Sequence, residues 1–179
     1  MKRLVHIVVL VTFVLLCSCA EKPQEKSQEK PQVSDSQLKE SLEKANRYLA
    51  NDEEEDINNY IARHQLDMKA SGTGMRYQIL QSGDTALIHP GQTVTIEYVL
   101  NNIMGDIVYS SENDGVMKFV VGCGDVVSGL DEAMRYLHRG DVAKVIVPSH
   151  LGYGLLGDQK EIPARSTLIY TIKIINVVD

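Results

Sequence analysis

The second half of the chain alternates apolar and polar residues, and this pattern restricts the fold more than any other feature. In residues 93–100 the alternate side chains on one side are Val94, Ile96, Tyr98 and Leu100. Alternation with a period of two is typical of a β-strand with one buried face. Residues 142–147 are another strand candidate, and shorter candidates lie at residues 75–80, 107–111 and 116–121.

Residues 166–178 predict a long strand that is apolar on both faces at its start. This is typical of a strand at the centre of a sheet that is covered on both sides. Ahead of it, Leu130, Met134 and Leu137 recur at helical spacing, and Gly140 is expected to end that helix. The sequence therefore predicts an α+β domain in which one short helix covers an antiparallel sheet.

Residues 34–74 predict an N-terminal helical segment. Ser34 and Gln37 have capping-box spacing, and apolar residues then recur at helical spacing. Asn51 and Asp52 predict the end of this helix and the start of a second one, which the sequence SGTG ends. The apolar face of these helices is thin. It packs either on the domain or on a second copy of the chain, and the latter would give a homodimer.

The chain begins with two basic residues and an apolar run at residues 4–16, which is shorter than a typical membrane-spanning helix. Small residues before Cys19 resemble a bacterial lipobox, so residues 1–18 predict a lipoprotein signal peptide and Cys19 a lipidation site. The alternative is a membrane anchor that is never cleaved. Residues 19–33 contain a near-repeat without apolar side chains and predict a flexible tether. We expect a protein of the cell envelope, lipid-anchored to a bacterial membrane on the periplasmic side or at the outer membrane.

The charge balance argues against one class of partner. The sequence has 18 Lys and Arg residues against 24 Asp and Glu residues, a net charge of −6, and no basic stripe, so we expect no nucleic-acid binding. The acidic residues 53–56 are expected to be solvated helix surface. No histidines stand at metal-ligand spacing and no cofactor fingerprint is present, so we expect neither a metal nor a cofactor. Cys123 is expected to be a small buried or loop residue.

Six residues around the predicted short helix and a glycine-bounded loop could form an apolar pocket: Phe119, Val126, Val127, Leu130, Tyr153 and Ile162. A pocket with one phenol and a few backbone N–H donors suits a neutral amide ligand. The alternative is that these residues are simply part of the core, and the pattern alone favours that alternative.

Two long segments carry a family resemblance. The two segments are residues 129–154, with the sequence GLDEAMRYLHRGDVAKVIVPSHLGYG, and residues 162–177, with the sequence IPARSTLIYTIKIINV. They resemble FKBP-type peptidyl-prolyl cis-trans isomerases. The resemblance covers about residues 75–179 and implies a twisted antiparallel half-barrel sheet wrapped on one short helix. With the predicted anchor, tether and helices, the chain also resembles a lipoprotein subgroup of this family in Bacteroidetes-like bacteria.

The resemblance implies a pocket that holds a proline ring between aromatic and aliphatic walls. It assigns catalytic roles to the Tyr153 hydroxyl, the Val127 backbone N–H and Phe119. It assigns substrate contacts to Tyr98, Val108, Tyr109, Met117, Val126, Leu130, Ile162 and Tyr170. Where the family usually has Phe-Asp this chain has Val108 and Tyr109, and Met117 stands where phenylalanine is common. These departures imply the loss of an aromatic wall and of a carboxylate, and weaker catalysis.

The expected function is that of a peptidyl-prolyl isomerase that assists the folding of exported proteins, with proline-containing polypeptides as partners. Rotation about an X–Pro bond needs no nucleophile and no general base. A desolvated pocket favours the less polar twisted amide, while hydrogen-bond donors hold the neighbouring carbonyls. The alternative is an FKBP-like peptide-binding or chaperone module with little or no isomerase activity.

Overall fold

The computed structural model of the protein describes residues 34–83 and 86–179. The predicted signal peptide, the tether and Cys19 lie outside the described residues. The chain divides into two compact units, Met1–Glu40 and Ser41–Asp179. The described part of the first unit is the start of a helix that continues into the second. Within the described residues, no helix is both long and apolar enough to cross a membrane.

The N-terminal helical segment is one continuous helix, α1, which spans Asp35–Arg63. The predicted break at Asn51 and Asp52 is therefore wrong. Each of these residues costs a helix interior only about 0.7 kcal/mol relative to alanine. Further along the helix, Ile57 and Tyr60 are buried, and the burial of two large side chains outweighs that cost.

Both ends of α1 follow known capping patterns. The Ser34 hydroxyl oxygen accepts the Gln37 N–H at 3.3 Å and the Gln37 side chain accepts the Ser34 N–H at 3.3 Å, which confirms the capping box. At the other end Gln65 has a positive φ of 53°, and the Leu66 N–H donates to the Ile61 carbonyl at 3.1 Å. The helix thus ends before SGTG, and the predicted extension to that sequence is wrong.

Among the described residues, seven strands form one sheet: β1 (Lys69–Ala70), β2 (Arg76–Gln81), β3 (Thr93–Asn101), β4 (Ile107–Ser110), β5 (Met117–Val120), β6 (Val142–Val147) and β7 (Leu168–Val178). Their order is β1-β2-β6-β7-β3-β4, and all pairings are antiparallel. β5 pairs with the first half of β3, and β4 pairs with its last residues. The strand predicted from alternation at residues 93–100 is confirmed as β3, and the strand candidate at residues 142–147 is confirmed as β6.

Three short helical segments accompany the sheet in this part of the chain: α2 (Ser111–Asp114), α3 (Ser128–Met134) and a 3-10 helix (Ser149–Leu151). α3 is the predicted covering helix, although it ends at Met134 rather than near Gly140. Leu137 lies beyond the helix but remains fully buried. The predicted fold class, an antiparallel sheet with a short covering helix, is confirmed.

The central strands β6 and β7 bury apolar residues on both faces. On one face Val145 and Tyr170 belong to the main core, which also contains the apolar residues of α3. On the other face Ile146 and Ile169 pack with Ile57 and Tyr60 of α1. Successive side chains of a strand point to opposite faces, so a strand that is apolar at every position needs cover on both sides. This confirms the prediction for the start of β7.

Candidate functional site

A cavity of about 350 Å³ is built from the sheet and the loop that follows the 3-10 helix. Its lining residues are Tyr98, Leu100, Tyr109, Asp114, Met117, Tyr153, Asp158, Lys160 and Tyr170. The volume falls within the range of sites that bind small ligands. Five of the predicted site residues are therefore brought together here: Tyr98, Tyr109, Met117, Tyr153 and Tyr170.

The other six predicted site residues belong to the core against which the cavity is built. Phe119, Leu130 and Ile162 are buried, and Val108, Val126 and Val127 are half-buried and pack against the same core. Val127 directly precedes α3, and its carbonyl accepts the N–H groups of Leu130 and Asp131. The predicted role of its own N–H as a donor to a ligand stays a prediction.

The sheet register explains why the phenols converge. Leu100 of β3 pairs with Tyr109 of β4 on one side and with Tyr170 of β7 on the other. These three residues form a row across the sheet. Tyr98 lies two positions before Leu100 and therefore faces the same side. The alternation that predicted β3 thus also places Tyr98 and Leu100 in the cavity wall.

Tyr153 comes from the loop rather than from the sheet. The N–H groups of Gly152 and Gly154 donate to the Ser149 carbonyl at 3.1 and 2.8 Å and so fix the backbone on both sides of Tyr153. Gly154 has a φ of 60°, a left-handed conformation that favours glycine. The Tyr153 side chain is 38% exposed, so it is accessible from solvent as well as from the cavity.

The environment keeps these phenols protonated. Burial raises the pKa of Tyr98, Tyr153 and Tyr170. The charge of Asp114 raises the pKa of Tyr98 further, and that of Asp158 does the same for Tyr153. At neutral pH the three hydroxyl groups can therefore donate hydrogen bonds to a carbonyl ligand.

The fourth phenol, Tyr109, is bound to a carboxylate. Its hydroxyl donates to Asp158 at 2.5 Å, which raises the pKa of Tyr109 to about 12. The other carboxylate oxygen of Asp158 accepts the N–H groups of Lys160 and Ile162 at 2.9 and 2.8 Å. Burial alone would raise the pKa of Asp158, but the hydrogen bonds from Tyr109, Ile162 and Lys160 outweigh it and hold that pKa below its usual value.

Sequence reasoning missed four lining residues: Leu100, Asp114, Asp158 and Lys160. The departure at Tyr109 removes a carboxylate from β4, but Asp114 and Asp158 both line the cavity. An aspartate that caps its own turn is a recognisable local signal. Its contact with Tyr109, 49 positions away, has no signal in the sequence.

Cavity volume alone does not identify the site, since two other cavities in the second unit measure about 350 and 410 Å³. The cavity with the phenols stands out because predicted site residues and perturbed titratable groups meet there. Among residues 34–83 and 86–179, no group of three or more His, Cys, Asp or Glu side chains is placed to hold a metal ion.

Comparisons with known proteins agree with this geometry. Residues 85–175 match the family described as FKBP-type peptidyl-prolyl cis-trans isomerase. FK506-binding protein 1 of Debaryomyces hansenii is 34% identical over 102 residues, which cover 56% of this chain and 91% of that protein. The chain belongs to this FKBP family.

Two further FKBP relatives match about half of this chain. FK506-binding protein 2 of Dictyostelium discoideum is 33% identical over 88 residues, which cover 49% of this chain and 66% of that protein. The peptidyl-prolyl cis-trans isomerase FKBP53 of Arabidopsis thaliana is 34% identical over 89 residues, which cover 49% of this chain. The matched region spans only 19% of the length of the Arabidopsis protein.

Proposed function

We propose that the protein is a peptidyl-prolyl cis-trans isomerase that acts through the cavity lined by the four tyrosines. The observation that carries the proposal is the convergence of protonated phenols on a partly apolar cavity in a member of the FKBP family. Such a cavity offers walls for a proline ring and donors for the carbonyl groups beside it. It needs no nucleophile, because the reaction breaks no σ bond.

The proposed mechanism follows from the X–Pro bond. Amide resonance creates a barrier of about 18–20 kcal/mol to rotation. In the cavity the amide is removed from water, which disfavours the polar planar form relative to the twisted form. Apolar walls at Leu100 and Met117 hold the ring, and the Tyr153 hydroxyl holds a neighbouring carbonyl. Donors that bind the twisted form better than the planar form lower the barrier.

Asp158 is proposed to take the place of the carboxylate that the Tyr109 position lacks. Its charge lies close enough to Tyr153 to raise the pKa of that phenol, and its bond to Tyr109 ties the loop to β4. This arrangement keeps two cavity walls at a fixed separation. The bond between Asp158 and Tyr109 therefore supports isomerase activity although this chain has Val108 and Tyr109 where the family usually has Phe-Asp.

The test is the rate of cis-to-trans conversion of a short X–Pro peptide, followed by coupled chymotrypsin cleavage. We expect the rate to rise in proportion to protein concentration. A Tyr48→Phe variant serves as the matched control, because Tyr48 is 71% exposed on α1 and outside the cavity. No acceleration at micromolar concentrations of folded protein would reject the proposed activity.

A second candidate function is peptide binding or chaperone activity with little turnover. The observation that favours it is a pair of exposed apolar residues next to Tyr153: Leu155 is 66% exposed and Leu156 is 76% exposed. Exposed apolar side chains at a site are typical of a surface that binds other chains. Replacing both leucines with serine would then reduce the suppression of aggregation of an unfolded protein, whereas Tyr153→Phe would leave it unchanged.

The lipid anchor is part of the proposal and rests on the sequence before Cys19. We propose a bacterial lipoprotein held in the cell envelope, with exported polypeptides as its substrates. Labelled fatty acid should be incorporated in bacterial cells, and Cys19→Ser should abolish the label. Cys17→Ser is the matched control and should leave the label intact. Equal labelling of all three proteins would reject lipidation at Cys19.

We also propose homodimerisation through α1. Leu42 and Tyr48 are more than half exposed and Leu49 is 38% exposed on this helix, so an apolar strip is available for a second copy. Light scattering on a chain that begins at Ser34 should give twice the monomer mass, and Leu42→Asp should restore the monomer. Leu80→Asp, at a leucine of β2 with similar exposure, should remain dimeric. A monomeric mass for the wild-type protein would reject homodimerisation through α1.

A further inference from the structure

Glu53 of α1 makes a set of contacts that the acidic run in the sequence does not predict. One carboxylate oxygen accepts the Ser149 N–H at 2.6 Å and the Thr167 hydroxyl at 2.7 Å. The other oxygen accepts the Ser149 hydroxyl at 2.8 Å. Ser149 and Thr167 are buried. Glu53 therefore faces the domain and is not solvated helix surface, which corrects the expectation for this residue.

The two residues that Glu53 binds mark the two ends of one segment. The chain leaves β6 just before Ser149 and enters β7 just after Thr167. Between these points lies the loop that carries Tyr153 and Asp158, both of which line the cavity. A single carboxylate thus holds the entry and the exit of the loop together.

The contacts continue from Ser149 to Tyr153. The Ser149 carbonyl accepts the N–H groups of Gly152 and Gly154, and the Gly154 carbonyl accepts the Arg165 N–H at 2.7 Å. The Arg165 side chain returns to α1 and donates to the Asn46 side chain at 3.1 Å. Hydrogen bonds on both sides of Tyr153 therefore lead back to α1, at Glu53 through Ser149 and at Asn46 through Arg165.

We propose that Glu53 is a positioning residue for the isomerase site: through Ser149 and Thr167 it fixes the loop that holds Tyr153 and Asp158 in the cavity wall. This inference rests on the proposed function. Glu53 does not line the cavity of the four tyrosines, so it acts on the substrate only through the loop. Helix α1, outside the segment matched to the family, thereby takes part in the activity of the domain.

The chemistry explains why a carboxylate is used here. Ser149 and Thr167 present three buried donors to one point, and a buried donor without a partner is costly. Hydrogen bonds to a charged acceptor are stronger than those between neutral groups. Glutamine keeps one carbonyl oxygen for the Ser149 N–H and Thr167, and its amide can donate to the Ser149 hydroxyl oxygen. Glutamine therefore preserves most of the geometry, whereas alanine removes all three bonds.

The experiment compares Glu53→Ala, Glu53→Gln and Glu55→Ala in the full chain. Glu55 is an exposed residue of the same helix, so its replacement is the matched control. Misplaced catalytic groups cost up to about 100-fold in rate, and for Glu53→Ala we expect kcat/KM to fall by about tenfold, through a higher KM as well as a lower kcat. Glu53→Gln should recover most of the loss, and Glu55→Ala should show none.

Amide hydrogen exchange provides a readout that does not depend on turnover. In Glu53→Ala, exchange at Gly152 and Gly154 should speed up, while exchange in β3 stays unchanged because the sheet remains folded. If this variant unfolds, Ser149→Ala, which removes one donor only, should give the same pattern at smaller size. Unchanged exchange at these glycines, or faster exchange with unchanged kcat/KM, would overturn the inference.

The experiment distinguishes failure of the isomerase proposal from failure of the inference about Glu53. If the wild-type protein does not accelerate isomerisation, the isomerase proposal fails. The coupling of Glu53 to the loop is then read from exchange and from the affinity for a proline-containing peptide. Glu53→Ala should still weaken that affinity, and an unchanged affinity would overturn the inference as well.

Discussion

The Tyr109 hydroxyl donates a hydrogen bond of 2.5 Å to the Asp158 carboxylate. Tyr109 lies on β4 and Asp158 on the loop between β6 and β7, so this bond joins two walls of the cavity. The family resemblance places a carboxylate at the position of Tyr109. In this chain the strand position carries a hydroxyl and the carboxylate comes from the loop, and the hydrogen bond between them connects the two walls.

Removing either partner should weaken the site. Tyr109→Phe deletes the donor and keeps the ring, and Asp158→Asn removes the charge and keeps the shape. We expect each change to lower kcat/KM several-fold, because the loop loses its tie to β4. The double variant should lose little more than either single one, since residues that share one interaction are not additive. Additive losses would show that the two residues act independently.

Tyr109→Asp also tests the hydrogen bond between Tyr109 and Asp158. It restores the residue type that the family usually has, but it sets a second carboxylate opposite Asp158 and removes the hydroxyl donor. We therefore expect lower activity rather than a gain. Adding Asp158→Asn should recover part of the loss, because it relieves the repulsion between like charges. A gain in isomerase rate from Tyr109→Asp alone would contradict this account.

The Tyr153 hydroxyl should contribute to turnover. Tyr153→Phe removes a hydrogen bond worth about 1 kcal/mol, which corresponds to about a fivefold loss in kcat/KM. The thermal unfolding temperature should barely change, because the side chain is partly exposed.

Phe119 should be tested with a conservative substitution, because it is 3% exposed and Phe119→Ala would cost about 3–5 kcal/mol of stability. Phe119→Leu keeps the core filled, and we expect it to lower the isomerase rate of a folded protein.

Isomerase activity should not depend on pH across the neutral range. The lowered pKa of Asp158 means that its contribution to stability is present above the usual carboxyl range and is lost as pH falls through the lowered value. The raised pKa of Tyr109, about 12, means that its contribution is present below the usual phenol value and is lost as pH rises through about 12. We expect a flat kcat/KM between about pH 5 and pH 9, measured by NMR exchange on an X–Pro peptide. A step in that interval would indicate a titrating group that the cavity does not contain.

Two glycines of the loop should respond differently to alanine. Both have left-handed φ values, 60° at Gly154 and 65° at Gly157, and that conformation alone costs alanine about 1 kcal/mol or more. A Cβ on Gly154 would meet no atom within 4 Å, whereas one on Gly157 would lie 2.1 Å from the Ile162 carbonyl oxygen. Urea unfolding should therefore show a larger loss of stability for Gly157→Ala. Equal losses would mean that the loop adjusts freely around Gly157.

The sequence predicts the sheet well because strand alternation is a local signal. β3 is recognisable from alternating residues, and the doubly covered start of β7 from apolar residues at every position. The capping box at Ser34 is equally local and was also predictable. In each case the residues that carry the signal are only a few positions apart.

What the sequence does not predict depends on contacts between distant residues. Nothing near Asn51 or Asp52 indicates that α1 continues, because the burial of Ile57 against Ile146 decides it. The contact of Asp158 with Tyr109 spans 49 positions, and that of Glu53 with Ser149 spans 96. Only the fold brings such pairs together, so an acidic residue that serves the site looks the same in the sequence as a solvated one.

Helix α1 covers the outer face of β6 and β7 through Ile57 and Tyr60. The family match covers residues 85–175, so α1 lies outside the matched segment although it buries part of the same sheet. A fragment that lacks α1 would expose Ile146 and Ile169 to water, and we expect it to self-associate. The helix and the sheet should therefore melt in a single transition.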